Sequence, residues 1–160
     1  MAVLTEEQTM LRDMAREWAD NESPVTAFRR MRDAAPGAGF DAEAWQAQAA
    51  MGWAGILVPE AHGGVGMGYL SLALVLEQLG RTLTATPLAA TAAATSAILI
   101  GGSEAQQAEW LTKIASGELS PTSLDESVCD ADPKDDAAFA DDAKWDPEAF
   151  RCQISTRYRL

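Results

Sequence analysis

Apolar positions recur with a helical period through most of residues 5–116, and polar caps or glycines punctuate each stretch. Thr5-Glu6-Glu7-Gln8 has the form of a capping box, in which hydroxyl and carboxamide satisfy free amides at a helix start. Leu11, Met14, Ala15 and Trp18 then share one face. Asn21-Glu22-Ser23-Pro24 ends this helix and opens another, with Ser23 as N-cap and Pro24 at the first position. Phe28 and Met31 give the second helix an apolar edge, and Arg29, Arg30 and Arg32 a solvated one. After a break at residues 34–39, Asp41 caps a helix carrying Trp45, Ala49 and Met51, closed by Gly52.

Residues 69–79 are apolar on nearly all sides, the pattern of a helix buried within a bundle, and Gly80 closes them. Thr86-Pro87 starts a small-residue helix (Ala89, Ala90, Ala92, Ala93, Ala94) that runs to Gly101-Gly102. A second capping box, Ser103–Gln106, opens the last helix, whose inner face is Trp110, Leu111 and Ile114 before Gly117. Strand-type alternation is nowhere sustained before residue 118, and short connections favour antiparallel neighbours. The expected fold class over residues 1–118 is therefore all-α, an antiparallel helical bundle. Trp18, Trp45, Leu74, Leu76, Ile98, Trp110 and Ile114 are its expected core.

The pattern fails after residue 118. Residues 119–160 hold ten acids against five Lys and Arg, and they contribute −5 of the chain's net −12. Their apolar residues are sparse and aperiodic, a composition that buries too little surface to offset chain entropy. An acidic, low-complexity, disordered tail is the expectation for 119–160. Its abrupt start reads as a shifted frame or an early stop.

Charge and composition narrow the function classes. A net charge of −12 supplies no basic face for nucleic acid or an anionic membrane. No apolar run approaches the roughly 18 residues of a membrane span. The N-terminus lacks a basic-then-apolar leader, and Cys129 and Cys152 form no CxxC pair, so a reduced, cytoplasmic chain is expected.

The densest local signal is Trp53-Ala-Gly-Ile-Leu-Val-Pro59-Glu60-Ala-His62-Gly63-Gly64-Val-Gly66-Met-Gly68. Four glycines in six residues specify a shaped loop. Its spacing is not G-x-G-x-x-G, and no Rossmann-type strand precedes it, which separates it from a phosphate-binding turn. Pro59, Glu60, Gly63, Gly64 and Gly66 are read as structural, with the Glu60 carboxylate holding the turn by accepting backbone hydrogen bonds. Glu60 and His62 make neither a metal site, which takes three or four ligands, nor a triad.

These residues resemble the N-terminal helical domain of the acyl-CoA dehydrogenase family. The resemblance spans residues 3–118: Trp45, Gly52-Trp53, Ile56, Pro59-Glu60, Gly63-Gly64 and Gly66. It continues through Glu77-Gln-Leu-Gly-Arg81, Pro87, Gly102-x-x-x-Gln106-Gln107, Trp110-Leu111 and Gly117-Glu118. It implies FAD-dependent oxidation of the α,β bond of an acyl-CoA, in a fold with a middle β domain and a C-terminal helical bundle. Those later parts supply most flavin contacts and the glutamate base, so the resemblance assigns no catalytic residue, flavin ligand or metal to this chain. The glycine loop and the helix after it would help wall the acyl and flavin cavity. Leu88, Ala89, Ala92, Ala93 and Ser96 are the acyl-lining candidates, with close helix packing as the alternative reading of the alanines. The expected function is a fragment of such an enzyme, inactive alone and open to homo- or hetero-oligomers. The alternative is a non-enzymatic helical module that binds a protein partner.

Overall fold

The structure, a computed structural model, describes residues 4–34 and 39–119. Expectations for residues 120–160, including both cysteines and Trp145, lie outside the described residues. Six α-helices follow one another: α1 (Glu6–Glu22), α2 (Val25–Ala34), α3 (Ala42–Ala50), α4 (Gly68–Arg81), α5 (Leu88–Gly101) and α6 (Glu104–Ala115). A single 3-10 turn, Glu60–His62, interrupts the α3–α4 connection, and no strand occurs among the described residues. The described residues are all-α, as their periodicity dictates.

The helix ends are where side-chain chemistry says they should be in three cases. Thr5 and Ser103 each accept from the amide three residues on, and Gln8 and Gln106 return the bond to the cap amide. Asp41 accepts from the amides of Glu43 and Ala44 at 2.9 and 3.2 Å. Two ends differ from expectation. Ser23 closes α1, its amide bonded to the Ala19 carbonyl, and α2 starts after Pro24 at Val25. Gly80 does not stop α4, which runs on to Arg81. The stop is a backbone motif: Thr84 N–H bonds to Leu79 O at 3.0 Å and Leu83 N–H to Gly80 O at 3.2 Å. Leu83 takes the left-handed position at φ 57° that glycine normally fills.

The main core joins α1 (Leu11, Ala15, Ala19), α3 (Trp45, Ala49), the connection after it (Trp53, Ala54, Ile56, Leu57), α4 (Leu72, Val75, Leu79) and α5 (Leu88, Ala92). Ala15 and Ala19 are fully buried, and having only a methyl group there lets α1 pack closely on α4. Trp18 meets Trp53 edge-to-face, centroids 5.5 Å apart and planes at 83°, a geometry that places a positive ring edge on a negative face. A smaller cluster, Val58, Leu111 and Ile114, packs with Ile98, Leu99 and Leu119 and ties α6 to the connection.

Among the expected core residues, Trp45, Leu74 and Ile114 are buried. Trp18, Leu76, Ile98 and Trp110 are half-buried, and Met14 sits exposed beside the α1 stripe. Trp110 is partly covered by Lys113, whose Nζ lies 5.2 Å from the ring centroid. Helix α4 is buried on one side only: Tyr69 and Leu70 are 63% and 47% exposed. Its all-round apolarity is therefore half core and half open surface.

Candidate functional site

The α3–α4 connection is a loop folded onto itself. Successive tight turns carry the chain from Gly52 to Val58, with Gly55 N–H on Gly52 O, Ile56 N–H on Trp53 O and Val58 N–H on Gly55 O. Pro59 then offers one carbonyl to two amides, those of His62 at 2.9 Å and Gly64 at 3.2 Å. The returning limb of the loop bonds to the outgoing one through Val65 N–H to Gly55 O, Gly66 N–H to Val58 O and Met67 N–H to Ile56 O.

Two physical demands select glycine here. Gly63 and Gly66 have φ of 80° and 64°, outside the ordinary range of L side chains. Gly64 has no such φ, but a Cβ there would collide with the Val58 carbonyl and its side chain. The consequence for chemistry is clear. Every amide from His62 to Met67 is already bonded to a carbonyl of the same loop, so none is left to cradle a phosphate.

Glu60 is exposed, and its carboxylate enters none of the turn's hydrogen bonds. The sequence expectation that it holds the turn is corrected: its backbone carbonyl does so, accepting from Gly63 N–H at 3.0 Å. His62 is half-buried. Among the described residues no three His, Cys, Asp or Glu side chains converge on a metal position.

The loop delivers the chain into α4, whose Tyr69 meets Ser96 of α5 at an exposed surface. Tyr69 Oη donates to Ser96 Oγ at 3.0 Å, and Ser96 Oγ donates to the Ala92 carbonyl at 2.7 Å. The five lining candidates divide. Leu88 and Ala92 are buried in the core and pack helices together. Ala89 and Ala93 are exposed one turn apart, and Ser96 is half-exposed on the same side of α5. Ile100, 87% exposed, continues that stripe, while Tyr69, Leu70 and Ala73 extend the open surface onto α4. The close-packing reading of the small residues thus applies to Leu88 and Ala92, while Ala89, Ala93 and Ser96 face outward.

The Tyr69–Ser96 bond and the exposure of Ile100 are beyond the sequence pattern. Exposure depends on which helix covers which, and an apolar run carries no sign of its missing cover. The surface from Tyr69 to Ile100 is largely apolar, with a hydroxyl pair where the two helices meet.

Comparison with known proteins agrees with that architecture. Residues 5–118 match the sequence profile of the acyl-CoA dehydrogenase N-terminal domain. The chain is 38% identical over 124 residues to (2S)-methylsuccinyl-CoA dehydrogenase of Cereibacter sphaeroides, covering 76% of this chain and 22% of that protein. It is 34% identical over 126 residues to cyclohex-1-ene-1-carbonyl-CoA dehydrogenase of Geobacter metallireducens, covering 78% and 32%. Among solved structures, a variant of the Tcur3481-Tcur3483 steroid ACAD superposes with TM-score 0.65 at 29% identity, over 72% of this chain and 31% of that one. Butyryl-CoA dehydrogenase from Megasphaera elsdenii shares the fold at TM-score 0.60 and 22% identity. The chain belongs to the acyl-CoA dehydrogenase family, through its N-terminal helical domain. It spans between a fifth and a third of the length of these relatives.

Proposed function

We propose that residues 1–118 form one wall of the substrate cavity of an FAD-dependent acyl-CoA dehydrogenase, and that the 160-residue chain does not oxidise acyl-CoA by itself. The observation that carries the reading is the open α4–α5 surface, where Tyr69, Leu70, Ala89, Ala93 and Ile100 leave an apolar face uncovered. Contiguous exposed apolar surface marks a ligand or interaction site more often than an inert one. The acyl part of a CoA thioester would lie along Ala89, Ala93 and Ser96, where the absence of long side chains leaves room.

FAD comes to this reading through the family. The described residues do not fit it as a primary holder, because the glycine loop's amides are internally bonded. When bound, a flavin would supply the acceptor for the hydride leaving the substrate's β-carbon. The role left to this chain is to exclude water and orient the acyl group beside that acceptor. The α-proton would go to a base carried outside residues 4–119.

The acidic tail expected from residue 119 on is proposed to take no part in the wall, although Leu119 itself packs on the α6 cluster. The protein is read as cytoplasmic and as open to homo- or hetero-oligomers. No described helix is long and apolar enough to cross a membrane.

The test is a pair of proteins. The purified 160-residue chain should be colourless and fail to reduce an electron acceptor with any acyl-CoA. Residues 1–118 joined to the middle and C-terminal domains of a close relative should be yellow and active. Stoichiometric flavin or turnover in the chain alone would overturn the reading. So would an inactive but well-folded fusion, and in that case a protein-binding role for the same surface would gain ground.

A further inference from the structure

Helix α2 is the one α-helix among the described residues that buries no residue at all. Val25, Phe28 and Met31 are half-buried, whereas Arg29, Arg30 and Arg32 are exposed, and helical spacing puts the three arginines on one outer arc. They are the densest positive stretch of the described residues in a chain of net charge −12. Asp33 takes Arg32 in an ion pair at 2.8 Å. Arg29 and Arg30 have no carboxylate partner among the described residues.

Beside Arg30 the surface opens into a groove of about 460 Å³, with Ala27, Met31, Ala34 and Phe40 as its apolar lining. Glu22 and Asp41 complete the rim. The Asp41 carboxylate is already committed to the amides of Glu43 and Ala44. Against the two arginines the rim therefore sets the carboxylate of Glu22.

The chain leaves the described fold close to this groove. Trp45 and Gln46 of α3 hold the Gly117 carbonyl, and Asp41 precedes Trp45 by one turn, about 6 Å along the helix axis. Six residues beyond Leu119 begins the most acidic segment of the sequence, residues 125–148, with ten acids against Lys134 and Lys144. Six extended residues reach about 20 Å, well beyond the axial step from Trp45 to Asp41. Within the segment, Asp135-Asp136 and Asp141-Asp142 bracket Ala137-Ala138-Phe139-Ala140. That order of charge and apolarity complements an apolar groove edged by arginine.

We propose that residues 125–148 of the same chain dock on this face, their aspartates on Arg29 and Arg30 and residues 137–140 over the groove. Each exposed ion pair is weak on its own. A short tether compensates by holding the partner at an effective concentration of about millimolar. The docking stands independently of the role proposed for the α4–α5 surface.

The test uses the full chain. Its two cysteines, Cys129 and Cys152, both lie beyond residue 119, so a nitroxide on Cys129 in a Cys152→Ser chain reports from within the acidic segment. In the nitrogen-15 protein, the amides of residues 26–33 should lose more than half their intensity at about 0.01 M salt, where charges act over ~30 Å. They should recover at about 1 M, where that range is ~3 Å. Arg29→Glu combined with Arg30→Glu, both at exposed positions, should remove the low-salt broadening while the amides of α4 and α5 keep their wild-type shifts. An α2 that is not broadened at low salt would overturn the proposal, as would broadening that survives the double charge reversal. A low-salt mixture of nitrogen-15 chains without nitroxide and unlabelled chains carrying it should show no broadening. Broadening there would make the occupant a second copy and overturn docking within one chain.

Discussion

The indole nitrogen of Trp45 donates to the carbonyl oxygen of Gly117 at 3.2 Å, across 72 residues of sequence. Gln46 Nε2 reaches the same oxygen at 3.4 Å. Helix α3 therefore grips the C-terminal end of α6, where the last carbonyls have no partner within the helix. Gly117 is shaped for this. Its φ is 75°, and a Cβ on it would strike the methyl of Ala49. Gly117→Val combines backbone strain with a core collision and should destabilise by about 2 kcal/mol or more. Trp45→Phe keeps most of the buried ring and gives up the hydrogen bond, for a loss of about 1 kcal/mol beyond its packing change. Urea titrations of both variants measure the difference. Equal stability of Gly117→Val and wild type would show that α6 is not clamped.

The glycine loop separates two costs that sequence alone merges. Gly63 has open space around its missing Cβ but a positive φ, whereas Gly64 has an ordinary φ and no space. Gly63→Ala should cost about 1 kcal/mol, and Gly63→Asn less, because asparagine tolerates the left-handed region. Gly64→Ala should cost more than either, since the obstructing atoms are backbone and cannot swing aside. Thermal melts of the three variants test the order, and a Gly64→Ala chain more stable than Gly63→Ala would reverse the assignment.

Leu83 and Gly80 have exchanged the residues their positions favour. Leu83 occupies a left-handed helix stop with its side chain 55% exposed, and Gly80 sits inside α4 with open space where a Cβ would go. Leu83→Gly should stabilise by about 1 kcal/mol through release of backbone strain. Gly80→Ala should add about 0.5–1 kcal/mol by lowering the entropy of the unfolded chain. A fall in Tm for Leu83→Gly would mean that the leucine side chain makes a contact worth more than its strain.

These two residues also show where the sequence is readable and where it is not. Capping boxes are local chemistry within four residues, and Thr5, Ser103 and Asp41 act as their side chains require. The end of α4 is set by a backbone motif that leucine accepts at a cost, so the glycine three residues earlier is a false stop. Burial follows the same division. Trp45 is legible because its helical face is unambiguous. Tyr69 and Leu70 are not, because an apolar helix looks the same whether its second face meets protein or solvent. The candidate wall is legible as a helix rich in small residues. Which of those residues face inward depends on the roll of α5, a tertiary property set by contacts such as Thr86 with Gln48.

That roll makes a sharp experiment of neighbouring alanines. Ala92 is buried beside Leu88 in the main core, and Ala93 is exposed on the opposite shoulder of the helix. Ala92→Trp has no room and should destabilise by about 1–3 kcal/mol or more through overpacking. Ala93→Trp points into the open and should leave the stability of the 160-residue chain within about 0.5 kcal/mol. In an active fusion carrying the remaining domains, the same Ala93→Trp should raise KM for acyl-CoA or abolish turnover while flavin content stays unchanged. The wall would then be obstructed with the fold intact. An Ala93→Trp fusion with wild-type kinetics would remove Ala93 from the acyl path and leave α5 as packing alone.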